Sequence, residues 1–175
     1  MRVLLVRHAA PEMSPSIDPA RWPLSPTGQV AARALKGQLP GQRVWLSSEE
    51  VKALATLTCA RPNNHVRIVQ DQRFNEVVRN GEPFDDEFRV RRAAWLEGRP
   101  DERHSGWETP AEAAQRFDEA LRTYASKDAP VVVGSHGMVI TAWLVHHGRV
   151  ESGEAAGRFW RSLAMPAVVQ VQIDC

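Results

Sequence analysis

Two short apolar runs, each ending on a histidine, constrain this chain more than any other feature. Val3-Leu4-Leu5-Val6-Arg7-His8 lies near the start, and Val131-Val132-Val133-Gly134-Ser135-His136-Gly137 returns to the pattern far downstream. Uninterrupted valine and leucine runs of this length read as parallel strands buried on both faces. Open α/β sheets build their ligand crevices at the carboxyl ends of such strands, where both histidines fall.

Strand and helix signals alternate between these runs, which predicts an α/β fold: a three-layer αβα sandwich with a mostly parallel sheet and helices on both faces. With 175 residues, 43% of them hydrophobic, the chain suits a single domain over 1–175. Prolines at 11, 15, 19 and 23 make the stretch after the first strand a loop. Ser25-Pro26 predicts a capped helix ending near Pro40, and Val44-Trp45-Leu46 a strand. Ser48 is the expected cap of a helix through Ala60, and Val66–Val69 a third strand. Arg89–Leu96 looks helical within a polar stretch, Val77–Gly106, whose path the pattern does not assign. Thr109-Pro110-Ala111-Glu112 is a capping box for a helix to about Tyr124. Val131–Gly134 is the next strand, followed by helices over Gly137–His147 and Ser152–Leu163, and Val168–Ile173 alternates as a closing strand would.

The 22 basic and 21 acidic residues leave a formal charge of +1, so no global field favours nucleic acid or an anionic membrane. Met138–Val145, the longest largely apolar stretch, is far shorter than the ~18 residues a membrane span needs. The opening run is also too short for a signal peptide, and the expectation is a cytoplasmic protein. Cys59 and Cys175 lack metal-ligand spacing, so neither a zinc site nor a disulfide framework is indicated, and Cys59 reads as helix packing. The sequence does not fix the oligomeric state.

Taken alone, a histidine after a strand is more often a packed imidazole than a catalytic one. Here Arg7 precedes one histidine, and Gly137 opens a helix after the other. Together they supply a nucleophile, a fixed cation and backbone donors, a combination suited to phosphoryl groups.

At this point the chain resembles the histidine phosphatase, or phosphoglycerate mutase-like, superfamily almost end to end. Leu5-Val6-Arg7-His8 is similar to its Arg-His-Gly opening, and Pro23-Leu24-Ser25-Pro26-Thr27-Gly28 to its Pro-Leu-Thr-x-x-Gly stretch. Ser47-Ser48-Glu49-Glu50-Val51-Lys52-Ala53 resembles Ser-Ser-Pro-x-x-Arg-Ala. Arg73-Phe74-Asn75-Glu76 is similar to the segment with the acidic proton donor, Gly106-Trp107-Glu108-Thr109 to a Gly-Glu-Ser region, and Val133-Gly134-Ser135-His136-Gly137 to the second histidine motif.

The resemblance implies hydrolysis of a phosphomonoester or of phosphohistidine, with His8 as nucleophile. Arg7, Lys52, His136 and the amide of Gly137 would bind phosphate. Glu76 would move the proton, a role that asks for a raised carboxyl pKa. Positive side chains would replace a metal, and no cofactor is implied. Arg7 and Lys52 should oppose protonation of His8, and His136 would be protonated once substrate is bound. The implied partner is a small phosphorylated metabolite or a phosphoprotein. Two alternatives stay open: a phosphoglycerate-type phosphotransferase or mutase, and a weakened phosphate sensor.

The chain departs from the pattern at Ala9, Pro11, Ser14 and Lys52, where lysine offers a point charge in place of a guanidinium fork. Arg89, Arg91, Arg92, Arg99 and Arg103 would either bind a second anion or form a charged surface balanced by Asp85, Asp86, Glu87, Glu97, Asp101 and Glu102; the second reading is preferred. Ser135 reads as a turn residue. His146 and His147 read as stabilisers of a helix end, and His65 and His104 as loop residues without a task.

Overall fold

The computed structural model describes residues 1–41, 44–124 and 130–173. Among the described residues, five strands form one sheet in the order β3-β2-β4-β1-β5. They are β1 (Arg2–Arg7), β2 (Val44–Ser47), β3 (Arg67–Gln70), β4 (Val131–Ser135) and β5 (Ala167–Gln172). Neighbours run parallel except β5, which lies antiparallel on β1 at the sheet edge.

Side-chain alternation along β1 assigns the two faces. Val3 and Leu5 join Val131 and Val133 in a core with α3 (Phe88–Leu96), α4 (Pro110–Thr123), α5 (Gly137–His146) and α6 (Glu154–Ser162). Leu4 and Val6 turn the other way with Trp45, Leu57 and Val132, towards α2 (Val51–Ala60), on which α1 (Pro26–Arg33) packs. Helices therefore cover both faces of a largely parallel sheet, the three-layer arrangement expected.

Several boundaries move for physical reasons. α1 stops at Arg33, after which Leu35, Lys36 and Gln38 donate to carbonyls three residues back as far as Gly37 at φ 87°. Leu35 and Leu39 still reach the core from these tighter turns. The cap of α2 is Glu50, not Ser48, because the Ser48 hydroxyl is bonded to Asn75 while accepting the Glu50 amide. The capping box at Thr109 forms as the sequence predicts. The unassigned polar stretch is pinned by a bridge between Arg79 and Trp107 and contains α3 and a short 3-10 turn, Glu102–His104. Cys59 lies partly buried on α2 beside the small Ala9–Leu24–Ala32 cluster, and Cys175 falls outside the described residues.

Register positions the site. Arg7 pairs with Ser135 across β1 and β4, so His8 and His136 leave the sheet side by side at its carboxyl edge. The His8 amide closes this end by donating to the Ser135 carbonyl at 3.0 Å. Ser48 leaves β2 at the same edge, its amide donating to the Gly134 carbonyl at 2.9 Å. A Cβ on Gly28 would lie 2.1 Å from the Ala10 carbonyl oxygen, which shows how closely α1 buttresses the chain that follows His8.

Candidate active site

The His8 and His136 rings face each other with centroids 5.1 Å apart and planes tilted by 58°. His8 Nδ1 lies 2.8 Å from the Ala9 carbonyl oxygen. That oxygen can only accept, so Nδ1 carries the ring proton and Nε2 keeps its lone pair in the neutral imidazole. Burial, then the charges of Lys52 and Arg7, lower the His8 pKa to about 4, so the ring is neutral at physiological pH. The repulsion expected from the two cations is present, but desolvation is the larger cause.

His136 is fully buried, and its Nε2 lies 2.8 Å from Ser48 Oγ. Ser48 has one proton, and it goes to Asn75 Oδ1 at 2.8 Å. The same Oδ1 accepts the Glu49 amide, which fixes the orientation of the Asn75 side chain. His136 Nε2 must therefore donate to Ser48. Its Nδ1 is buried without a partner among the described residues. Desolvation and the charge of Lys52 hold the His136 pKa well below the usual value, so this ring is neutral too.

The cations are less free than the sequence suggests. Arg7 directs Nη1 to the carbonyls of Trp160 and Leu163 at the end of α6, while its Nε is buried without a partner among the described residues. Burial lowers its pKa from the usual value, against the pull of Glu76. Gly137 is needed beside it, because a Cβ there would sit 3.0 Å from Arg7 Nε and 2.9 Å from Trp160 Nε1. Lys52 is buried on the first turn of α2, with Nζ donating to the Pro19 carbonyl at 2.8 Å and to Glu50 Oε2.

Glu76 corrects an expectation. Its Oε1 accepts the amides of Val77 and Val139, each at 3.0 Å, and Oε2 accepts that of Met138 at 3.3 Å. The carboxylate thus sits on the amino end of α5, where the helix dipole favours negative charge. Desolvation pushes its pKa up, but the charge of Arg79 and the bonded amides outweigh this, and the net value falls to about 2. The raised pKa expected of a resting proton donor is absent. Arg116 braces the loop by donating to the Arg73 and Glu76 carbonyls while paired with Glu108.

Three participants escaped the sequence reading. Glu50 is buried between Lys52 and His136, its Oε1 accepting the Glu76 amide at 2.7 Å. Its position just past the end of β2, at the shared carboxyl edge, is the signal that could have revealed it. Asn75 orients Ser48 from inside a motif quoted only for its glutamate. Arg79 bonds Glu82 at 2.9 Å and the Val77 carbonyl at 2.7 Å, and contributes positive charge beside Glu76.

A cavity of about 610 Å³ lies between the Met13–Trp22 loop and the Glu82–Phe88 segment, whose Trp22 and Phe84 rings meet edge to face at 6.0 Å. The cavity lining excludes the histidines but includes Pro19, whose carbonyl accepts from Lys52 Nζ. Four of the five arginines of the basic stretch are paired, Arg91 with Asp85, Arg92 with Glu82, Arg99 with Glu97 and Arg103 with Asp101, whereas Arg89 is exposed, has no ion pair among the described residues and lies over the Phe88 ring at 5.7 Å. The expected balance of charge therefore holds for these four pairs only, and Arg91 is buried and not solvated. Ser135 is the last residue of β4 and not a turn residue, and its hydroxyl donates to the Phe74 carbonyl at 2.7 Å. His147 pairs with Asp118 after α5, and His104 forms the capping box of its 3-10 turn. Among the described residues no group of three or more His, Cys, Asp or Glu side chains is placed to hold a metal ion, and no helix is long and apolar enough to cross a membrane.

Solved structures share this fold. A mycobacterial glucosyl-3-phosphoglycerate phosphatase superposes with a TM-score of 0.74 at 20% identity, covering 98% of this chain and 89% of that one. YhfR of Bacillus stearothermophilus gives 0.74 at 18% identity over 99% and 91% of the two chains. A variant of the phosphoserine phosphatase of Entamoeba histolytica in complex with phosphoserine gives 0.69 at 16%, covering 97% and 89%. Curated protein sequences give no match. Residues 3–165, nearly the whole chain, match the histidine phosphatase superfamily (branch 1), and on that ground the chain belongs to this superfamily.

Proposed function

We propose that the protein is a phosphatase that hydrolyses phosphomonoesters, or phosphohistidine, through a phosphohistidine formed on His8, without a metal. The observation that carries the reading is the His8 Nδ1 bond to Ala9, which holds a neutral imidazole with Nε2 free for attack. In the first step Nε2 bonds to phosphorus as the ester P–O bond breaks and the leaving oxygen takes a proton. In the second, water attacks phosphorus, the N–P bond breaks, and inorganic phosphate departs.

Charge on the equatorial oxygens is met by Arg7, Lys52, His136 and the Gly137 amide. The orphan Nδ1 of His136 offers a further contact, as donor once the ring is protonated. Glu76 has a pKa of about 2 in this structure and is ionised at neutral pH. An arriving phosphoryl dianion raises that value by like-charge repulsion, so Glu76 becomes able to carry a proton to the leaving oxygen and later to accept one from water.

The leaving group lies in the cavity that Pro19 lines. Asp18 and Asp86 line it beside Trp22, Phe84 and Phe88, while Asp85 is neutralised by Arg91 and Arg92 by Glu82. A neutral or amine-bearing organic group suits these walls better than a second phosphate or carboxylate. The names of the glucosyl-3-phosphoglycerate and phosphoserine phosphatases support a small phosphorylated metabolite as substrate.

Release of p-nitrophenol from p-nitrophenyl phosphate in the presence of EDTA, abolished by His8→Ala, tests the reading. Phosphate binding without turnover would instead indicate a sensor. Transfer of the phosphoryl group to an added alcohol or phosphoglycerate would indicate a phosphotransferase.

A further inference from the structure

Glu50 is a buried ionisable group at the heart of the site to which the hydrolysis above gives no task. Oε2 accepts from Lys52 Nζ on its own helix, and Oε1 accepts the Glu76 amide at 2.7 Å from the segment preceding α3. His136 Nε2, from the start of α5, lies 3.5 Å from the same Oε1. The Ser48 hydroxyl at the end of β2 holds the Glu50 backbone amide at 3.0 Å, and the Pro19 carbonyl shares Lys52 Nζ from the opposite loop. The remaining charges around this centre are the Glu76 carboxylate, Arg79, Arg7 and, when protonated, His8. An ammonium, an amide and an imidazole are what a phosphoryl oxygen would seek here. In this structure the Glu50 carboxylate takes the ammonium and the amide, while the imidazole donates to Ser48 and lies 3.5 Å from Oε1.

We propose that Glu50 is a positioning residue that competes with substrate for Lys52, so that the phosphoryl group binds together with one proton taken up by Glu50. The inference rests on the phosphatase reading. Two anionic groups cannot share one buried ammonium without strong repulsion, and protonating the carboxylate removes it. Neutral Glu50 then releases Lys52 to the phosphoryl oxygens, and its new O–H becomes a donor where it had been an acceptor. The proton comes from solvent and returns there when phosphate leaves, so no bond to phosphorus depends on it. Glu50 therefore sets the affinity and the acid dependence of binding, acting through Lys52.

Sulfate tests this, because it stays a dianion between pH 5 and 8 and any pH dependence belongs to the protein. Calorimetric titration of the full chain with sulfate, in buffers of different ionisation enthalpy, counts the protons taken up. The wild type is expected to bind with net uptake and to weaken as pH rises. Glu50→Gln should bind sulfate about tenfold tighter at pH 7.5 and take up about one proton fewer, since removing a neighbouring like charge shifts such equilibria by a unit or more. Uptake undiminished in Glu50→Gln would assign the proton to His136 or Glu76 and overturn the proposal. Binding by the wild type without net uptake would overturn it even if the variant failed to fold. If p-nitrophenyl phosphate is hydrolysed through His8 while sulfate binding ignores pH, only the role of Glu50 fails. If neither sulfate binding nor turnover occurs, the phosphate-site reading fails with it.

Discussion

His136 donates its Nε2 proton to Ser48, because the only Ser48 proton is already committed to Asn75. The second imidazole is thus held in one tautomer by an oxygen outside its own motif. Ser48→Ala leaves a buried donor and the Asn75 carbonyl short of partners, and should cost about 1–3 kcal/mol of stability in denaturant unfolding. It should also lower kcat, by freeing the ring to turn.

Lys52 contributes to the low pKa of His8, second only to burial. Removing the charge in Lys52→Met should therefore move the His8 titration upward from about 4, as read by NMR of the ring carbon protons. Lys52→Ala should raise KM and lower kcat, by ~10²-fold if this cation stabilises the transition state as one oxyanion donor does. Lys52→Arg should retain activity, since a guanidinium supplies the same charge with more donors.

Glu76 ties α5 to the segment before α3 as a carboxylate. A carboxyl whose folded pKa is about 2, against an ordinary 4.5, stabilises the fold above the ordinary value and ceases to do so as pH falls through the lower one. The wild type should lose melting temperature between pH 4.5 and 2 more steeply than Glu76→Gln. At neutral pH the glutamine variant should be less stable, since an uncharged amide is a poorer acceptor at the helix end.

These residues also show what the sequence made legible. The paired strand-end histidines carried the parallel sheet and its carboxyl edge, because burial of β1 and β4 on both faces is written in consecutive valines and leucines. The capping box at Thr109 was readable for a similarly local reason. Glu50 and Asn75 were not, since their roles arise from three strands ending at one edge, a relationship between distant segments. Nor could the ionised state of Glu76 be read, because it depends on amides of a helix 62 and 63 residues further along the chain. Lys52 was identified by its register with a family arginine, but its pairing with Glu50 is visible only in three dimensions.

The walls of the cavity that Pro19 lines carry a prediction about substrates. At matched phosphate ionisation, esters with an ammonium or aromatic leaving group should be cleaved with higher kcat/KM than esters bearing a carboxylate or second phosphate. Asp18→Asn combined with Asp86→Asn should narrow that difference, as both carboxylates line the cavity. Initial rates on a panel of phosphomonoesters check both statements.

The central claim is a phosphoryl group carried on His8, and chemical trapping tests it most directly. Enzyme quenched during turnover of a labelled phosphomonoester should retain phosphate that survives alkali and is lost in acid, with the label on the peptide containing His8 and absent from His8→Asn. Turnover by the wild type with label on another residue, or undiminished turnover by His8→Asn, would contradict the account.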